Sequence, residues 1–129
     1  MARHRSTQPT NAELAVLRVL WDKGPCTVRE VYDAIDRADD IGYTTVLKTM
    51  QIMADKGLVK RSELARGHVY RAAASQESTQ QKMVADLIDR AFGGSAATLV
   101  MQALSSRSAS AEELERIRAL IDQARRGNR

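Results

Sequence analysis

Apolar residues return at helical spacing several times along this chain, interrupted once by two short runs of strand-compatible residues. Leu14, Val16, Leu17, Leu20 and Trp21 gather on one face of a first helix. Thr10-Asn11-Ala12-Glu13 ahead of it has the spacing of a capping box, and Lys23-Gly24-Pro25 ends it. At this spacing Trp21 reads as core rather than as a stacking platform, and Cys26 as a small buried apolar residue. Thr27-Val28-Arg29-Glu30 repeats the capping pattern before Val28, Val31, Tyr32 and Ile35, which predict a second helix. Asp36 to Asp40 reads as its solvated end and a loop. Gly42 then releases the chain into a third helix over Thr44–Lys56, where Val46, Met50 and Met53 recur at i, i+4 and i+7 and Gly57 supplies the stop. Leu58–Leu64 and His68–Ala73 come next as two short strands about Ala65-Arg66-Gly67, a hairpin.

Beyond Ser75 the pattern changes. Gln76 to Phe92 is amphipathic, with Met83, Val84, Leu87, Ile88 and Ala91 on a broad apolar face, and Gly93-Gly94-Ser95 breaks it. A further helix is expected from about Ala96 to Leu104, carrying Leu99, Val100, Ala103 and Leu104, with a polar break over Ser105–Ala109. Ser110-Ala111-Glu112-Glu113 is a third capping box, opening a last helix with Leu114, Ile117, Ile121 and Ala124. Three short helices of this kind can scarcely enclose a core of their own, so the economical partner is the same segment of a second copy. The expected organisation is a basic arm over 1–9, a winged-helix domain over 10–75 and a three-helix dimerisation region over 76–129. Its interface would hold Met83, Leu87, Ile88, Phe92, Leu99, Leu104, Leu114, Ile117 and Ile121. The fold class is mainly α (α+β): a winged helix-turn-helix followed by a helical dimerisation segment.

With 129 residues the chain has the size of one ordinary domain, or of a small domain plus an association segment. Only 4% of residues are aromatic, so the core must be aliphatic and rich in methionine. No run approaches the ~18 consecutive apolar residues of a membrane span, and the N-terminus lacks a signal-peptide stretch. A cytoplasmic protein without membrane insertion is expected. Cys26 is the only cysteine, and His4 and His68 have no ligand partners at useful spacing, so neither a metal site nor another cofactor is expected. Asp39 and Asp40 lack the further carboxylates of a calcium loop. No Ser/His/Asp, Cys/His or phosphate-loop pattern is present, which argues against an enzyme.

Charge gives the third helix and the hairpin their meaning. Between Tyr43 and Ala73 stand Lys48, Lys56, Lys60, Arg61, Arg66 and Arg71 against Asp55 and Glu63, an excess equal to the net +4 of the whole chain. Opposite the apolar stripe of the third helix lie Thr44, Lys48, Gln51 and Asp55, flanked by Thr45 and Ile52. Thr44, Thr45, Lys48 and Gln51 are the types that hydrogen-bond base edges in a major groove, and Leu47 could meet a thymine methyl. Lys60, Arg61, Arg66 and Arg71 would hold phosphates from the hairpin, Arg66 at its tip; a merely solvated hairpin is the bland alternative. The C-terminal Arg125, Arg126 and Arg129 are adequately explained by the helix macrodipole. A winged-helix module used for protein–protein contact, without sequence-specific DNA binding, is the main rival; it would need no basic helix face or wing. RNA binding is a lesser one, since Tyr70 is the only aromatic in the hairpin.

Glu13-Leu14, Val16-Leu17, Leu20-Trp21, Gly24-Pro25, Thr27-Val28-Arg29-Glu30-Val31, Tyr43-Thr44-Thr45-Val46, Lys56-Gly57-Leu58-Val59 and Gly67 followed by Tyr70, in this order and spacing, resemble the BlaI/MecI/CopY penicillinase-repressor family over nearly the whole chain. The resemblance implies a homodimeric repressor on a dyad operator in double-stranded DNA, controlling resistance or stress genes. It places Thr44, Thr45 and Lys48 at the bases and makes the hairpin the wing. CopY-like members take up metal through a C-terminal cysteine cluster that this chain lacks. Members responsive to β-lactams are released by proteolysis in the dimer segment, through a membrane-bound sensor protease. The family's Asn-Phe cleavage pair corresponds here to Gln102-Ala103, a departure from the pattern.

Overall fold

The computed structural model describes residues 8–64 and 67–127. Most of the expected basic arm, the wing-tip Arg66 and the terminal Arg129 lie outside these. The described chain runs α1 (Asn11–Lys23), α2 (Val28–Ala34), a 3-10 turn (Arg37–Asp39), α3 (Tyr43–Lys56), β1 (Val59–Leu64), β2 (Gly67–Ala72), α4 (Gln76–Ala91), α5 (Ala96–Ser106) and α6 (Ala111–Gly127). Helices followed by one antiparallel hairpin, then more helices, are the architecture the patterning predicts.

The three capping boxes form as spaced. Thr10 Oγ1 accepts from the Glu13 amide at 3.2 Å while Glu13 Oε1 accepts from the Thr10 amide at 2.9 Å. Thr27 and Glu30 exchange the same bonds at 3.2 and 2.8 Å, and Ser110 and Glu113 at 3.1 and 2.9 Å. Each pair satisfies amides that the first helical turn leaves without a partner. At the other end of α3, Gly57 takes the left-handed conformation (φ 82°), and the Leu58 amide donates to the Met53 carbonyl at 2.9 Å.

The chain divides into two compact units, the first ending at Val84 and the second starting at Ala85, with the division inside α4. The first unit has a closed core. Val16, Leu17, Val19 and Leu20 of α1, Val31 of α2, Val46, Met50 and Met53 of α3, Val59 of β1, Tyr70 of β2 and Cys26 are all buried. The methionine stripe of α3 is fully enclosed, so this helix is fixed by its inner face and free on its outer one. Two expected core residues differ. Leu14 and Trp21 are half-buried and pack against the core from its edge; Trp21 keeps its rim position because its indole N–H donates to the Ala74 carbonyl at 3.0 Å.

Two boundaries also shift. Ile35 does not continue α2 but turns extended (ψ 137°), and Asp36 caps the 3-10 turn by accepting from the Ala38 amide at 3.0 Å. α5 runs through the expected break at Ser105: its hydroxyl donates to the Met101 carbonyl at 2.8 Å, a bond that lets serine stay in a helix.

In the second unit no described residue is buried. Gly93 and Gly94 both have positive φ (57° and 85°), closing α4 where an L side chain would be strained. Ser95 caps α5 by accepting from the Thr98 amide at 3.1 Å. Leu87, Val100, Met101, Leu104, Leu114, Leu120 and Ile121 are exposed, while Ile88, Phe92, Leu99 and Ile117 are half-buried.

Candidate nucleic-acid interface

With Val46, Met50 and Met53 turned inward, helical geometry turns Thr44, Thr45, Lys48, Gln51 and Ile52 outward, and all five are exposed. Leu47 is half-buried, so the residue expected to offer a methyl contact is partly withdrawn, and Ile52, 43% exposed, is the larger free apolar group on this helix. No acid stands in the first turn of α3. Its N-cap is Gly42, which has no side chain to occupy the helix-terminal amides.

The hairpin register sorts the wing charges. Val59 pairs with Ala72 and Arg61 with Tyr70, on the face that carries the core residues Val59 and Tyr70. Lys60 stands directly opposite Arg71 on the other face, and both are exposed. Like charges in that position repel. Arg61 is exposed beyond Tyr70, so the expected wing cations do not share one face.

Lys56 has a different part from the one its charge suggests. Counted with the basic stretch, it is instead in an ion pair, Nζ to Glu13 Oε2 at 2.8 Å, and the Glu13 side chain is only 5% exposed. Of the basic stretch this leaves Lys48, Lys60, Arg61 and Arg71 without an ion-pair partner among the described residues.

Sequence reasoning passes over the residues beside this surface. Tyr43, at the start of α3, meets Tyr32 edge-to-face with ring centroids 5.6 Å apart, and the Arg29 guanidinium lies 5.7 Å from the Tyr32 ring centre. An open groove is lined by Thr27, Val28, Arg29, Glu30, Tyr43 and His68, bringing the start of α2, the start of α3 and the hairpin together. In sequence His68 suggests at most a metal ligand; its position at the start of the second strand is the signal that ties it to the wing. The wing itself is held down by backbone. Cys26 and Tyr70 exchange amide–carbonyl bonds at 2.9 and 2.8 Å, which joins β2 to the connection between α1 and α2. Burial, reinforced by the nearby Glu30 carboxylate, pushes the Cys26 thiol up from its ordinary value, so it stays protonated and packs as an apolar group.

Elsewhere, Met83 lines an apolar groove of the first unit with Leu17, Leu58 and Thr79, rather than standing free. Gln102 and Ala103 are exposed within α5. Among the described residues no group of three or more His, Cys, Asp or Glu could hold a metal ion, and no helix is long and apolar enough to cross a membrane.

The family described as penicillinase repressor matches residues 9–123, a span that takes in the winged unit, α4, α5 and most of α6. The chain belongs to that family. The transcriptional regulator BlaI of Mycobacterium tuberculosis, from strain CDC 1551 / Oshkosh and from strain ATCC 25618 / H37Rv, is 31% identical over 126 residues, covering 95% of this chain and 91% of its own length. As a member of the penicillinase-repressor family the protein is a transcriptional repressor, not an enzyme.

Proposed function

We propose that the protein acts in the cytoplasm as a homodimeric repressor on a dyad operator in promoter DNA, controlling resistance or stress genes. Thr44, Thr45, Lys48 and Gln51 meet base edges, with Leu47 at the margin of the contact. Lys60, Arg61, Arg66 and Arg71 hold phosphates. Residues 76–129 join two copies, so that binding of the second winged module becomes intramolecular and the two-fold axis selects inverted half-sites. Occupancy of the promoter then excludes polymerase or blocks its passage.

The observation that carries this reading is the state of the cations on α3 and the hairpin. Lys48, Lys60, Arg61 and Arg71 are exposed and have no ion-pair partner among the described residues, and Lys60 faces Arg71 across the strands. That pair costs the free protein stability, and a phosphate beside both would convert the repulsion into two charge-assisted hydrogen bonds. A wing serving only protein contact has no use for such an arrangement.

Relief by proteolysis at Gln102-Ala103, through a membrane-bound sensor protease, is compatible with the exposure of both residues. The bond lies inside α5, and a protease takes its substrate extended, so cleavage requires that helix to open locally. Loss of α6 would then remove the avidity of the pair.

The test is a salt titration of binding to a palindromic duplex selected by the protein from a randomised pool, against a scrambled duplex of the same length. The expected result is a steep loss of affinity with salt for both and a persistent preference for the palindrome. Equal affinity for the two at every salt concentration would remove the reading.

A further inference from the structure

The ion pair between Lys56 and Glu13 stands apart from the others in the first unit. The Arg18–Asp39 and Arg29–Asp33 pairs have no buried partner and stand at 3.7 and 3.3 Å, of the kind worth little in water, whereas the Lys56–Glu13 pair joins a lysine 37% exposed to a carboxylate that is buried. Glu13 is 5% exposed and holds Lys56 at 2.8 Å, while its other carboxylate oxygen closes the capping box of α1 on the Thr10 amide. One buried carboxylate therefore fixes both the start of α1 and the end of α3.

We infer that Glu13 and Lys56 are positioning residues for base reading: their ion pair sets the pose of α3 against α1. This rests on the proposed DNA-reading role of α3. The other anchors of α3 are the buried Val46, Met50 and Met53 and, at its first residue, the edge-to-face contact of Tyr43 with Tyr32; the apolar contacts are non-directional, and a ring contact permits small slides and rotations. A charge-assisted hydrogen bond at 2.8 Å to a buried carboxylate instead favours one separation of the two helix ends, and fixing register is the best-attested use of such pairs. The pair sits at the far end of α3 from the candidate base-contacting residues. Thr44 lies about 18 Å along the helix from Lys56, at 1.5 Å per residue. At that lever arm a tilt of about 5° moves Thr44 by about 1.5 Å, several times the tolerance of a hydrogen bond to a base.

Charge alone makes the opposite forecast. Removing the Glu13 carboxylate makes the protein more cationic and should strengthen its binding to any duplex. The experiment measures equilibrium binding of the full chain, at one salt concentration, to the palindromic duplex it selects from a randomised pool and to a scrambled duplex. Glu13→Gln keeps side-chain volume and a capping acceptor, so it remains folded, which thermal melting checks. Its ratio of selected to scrambled affinity is expected to fall about tenfold, within the range of couplings between contacting residues. The double variant Glu13→Gln/Lys56→Gln restores the net charge and is expected to show the same loss, while Lys56→Arg, which keeps the pair, retains the ratio. An unchanged ratio in folded Glu13→Gln, or one recovered by the double variant, would overturn the inference. Failure of the unsubstituted protein to distinguish the two duplexes would instead overturn the DNA-reading role itself and the inference with it, a different and separately visible result.

Discussion

The two units of this chain use similar apolar residues to opposite ends. The first, up to Val84, encloses a core of α1, α2, α3 and the hairpin in which Val31, Val46, Met50 and Met53 are completely buried. The second, from Ala85, has Val100, Met101 and Leu104 on α5 and Leu114, Leu120 and Ile121 on α6, and buries none of them. Apolar content therefore does not make a core; closure does. Three helices backed by a hairpin can close, whereas helices without a facing layer leave their apolar sides outward.

The sharpest way to test the contrast is to remove a residue of each kind. Met50→Ala takes a fully buried side chain from the middle of α3 and should destabilise the first unit by about 2–5 kcal/mol, read by denaturant unfolding of the full chain. A loss no larger than that of a surface substitution would show that α3 is not held by its methionine stripe.

Leu114→Asp acts on the other unit. Leu114 is 46% exposed, so in a lone chain the substitution should alter stability by less than about 0.5 kcal/mol. If the exposed face of α6 is the dimer interface, it should raise the dimer dissociation constant about thirtyfold or more, as substitution of an interface anchor does, measured by sedimentation equilibrium. An unchanged constant would move the interface elsewhere.

The smallest effect is expected at the start of α6. Hydrogen bonds from the Ser110 backbone amide, and then from its hydroxyl, hold the Glu113 carboxyl below its usual range. A carboxyl lowered in the folded state lends stability above its unfolded value and loses it as pH falls through the folded value. The helicity of the protein and of Glu113→Gln should therefore differ at neutral pH and converge in acid. A difference that persists in acid would mean that the charge of the Glu113 carboxylate is not what the capping box uses.

These particulars also separate what residues in order disclose from what they do not. The capping boxes at Thr10, Thr27 and Ser110, the stripe of α3 and the Gly57 stop are local, set by neighbours within a few positions, and the structure reproduces them. The architecture is legible too, because a helix-helix-helix-hairpin order admits few arrangements. On the candidate surface Thr44, Thr45, Lys48 and Gln51 can be read in advance, since their exposure follows from helical period once the core face is known. Long-range ties cannot. Nothing in the sequence joins Glu13 to Lys56, forty-three positions on, or the Trp21 indole to Ala74, or the Cys26 backbone to Tyr70. A cation counts as free in a composition, and only the fold shows that Lys56 is already paired. Period likewise places Leu47 on a flank, and only the packing around it shows how much of it emerges.

The proposal that the closed unit reads DNA and the open unit joins two copies is tested most directly on a pair of duplexes, one carrying both inverted half-sites and one with a single half-site scrambled. Fluorescence anisotropy with the full chain at fixed salt should show an affinity lower by a factor of about 100 or more on the damaged duplex, since avidity between linked modules is lost with the second site. Equal affinity for the two duplexes would contradict the account, because it would mean that one copy reads alone.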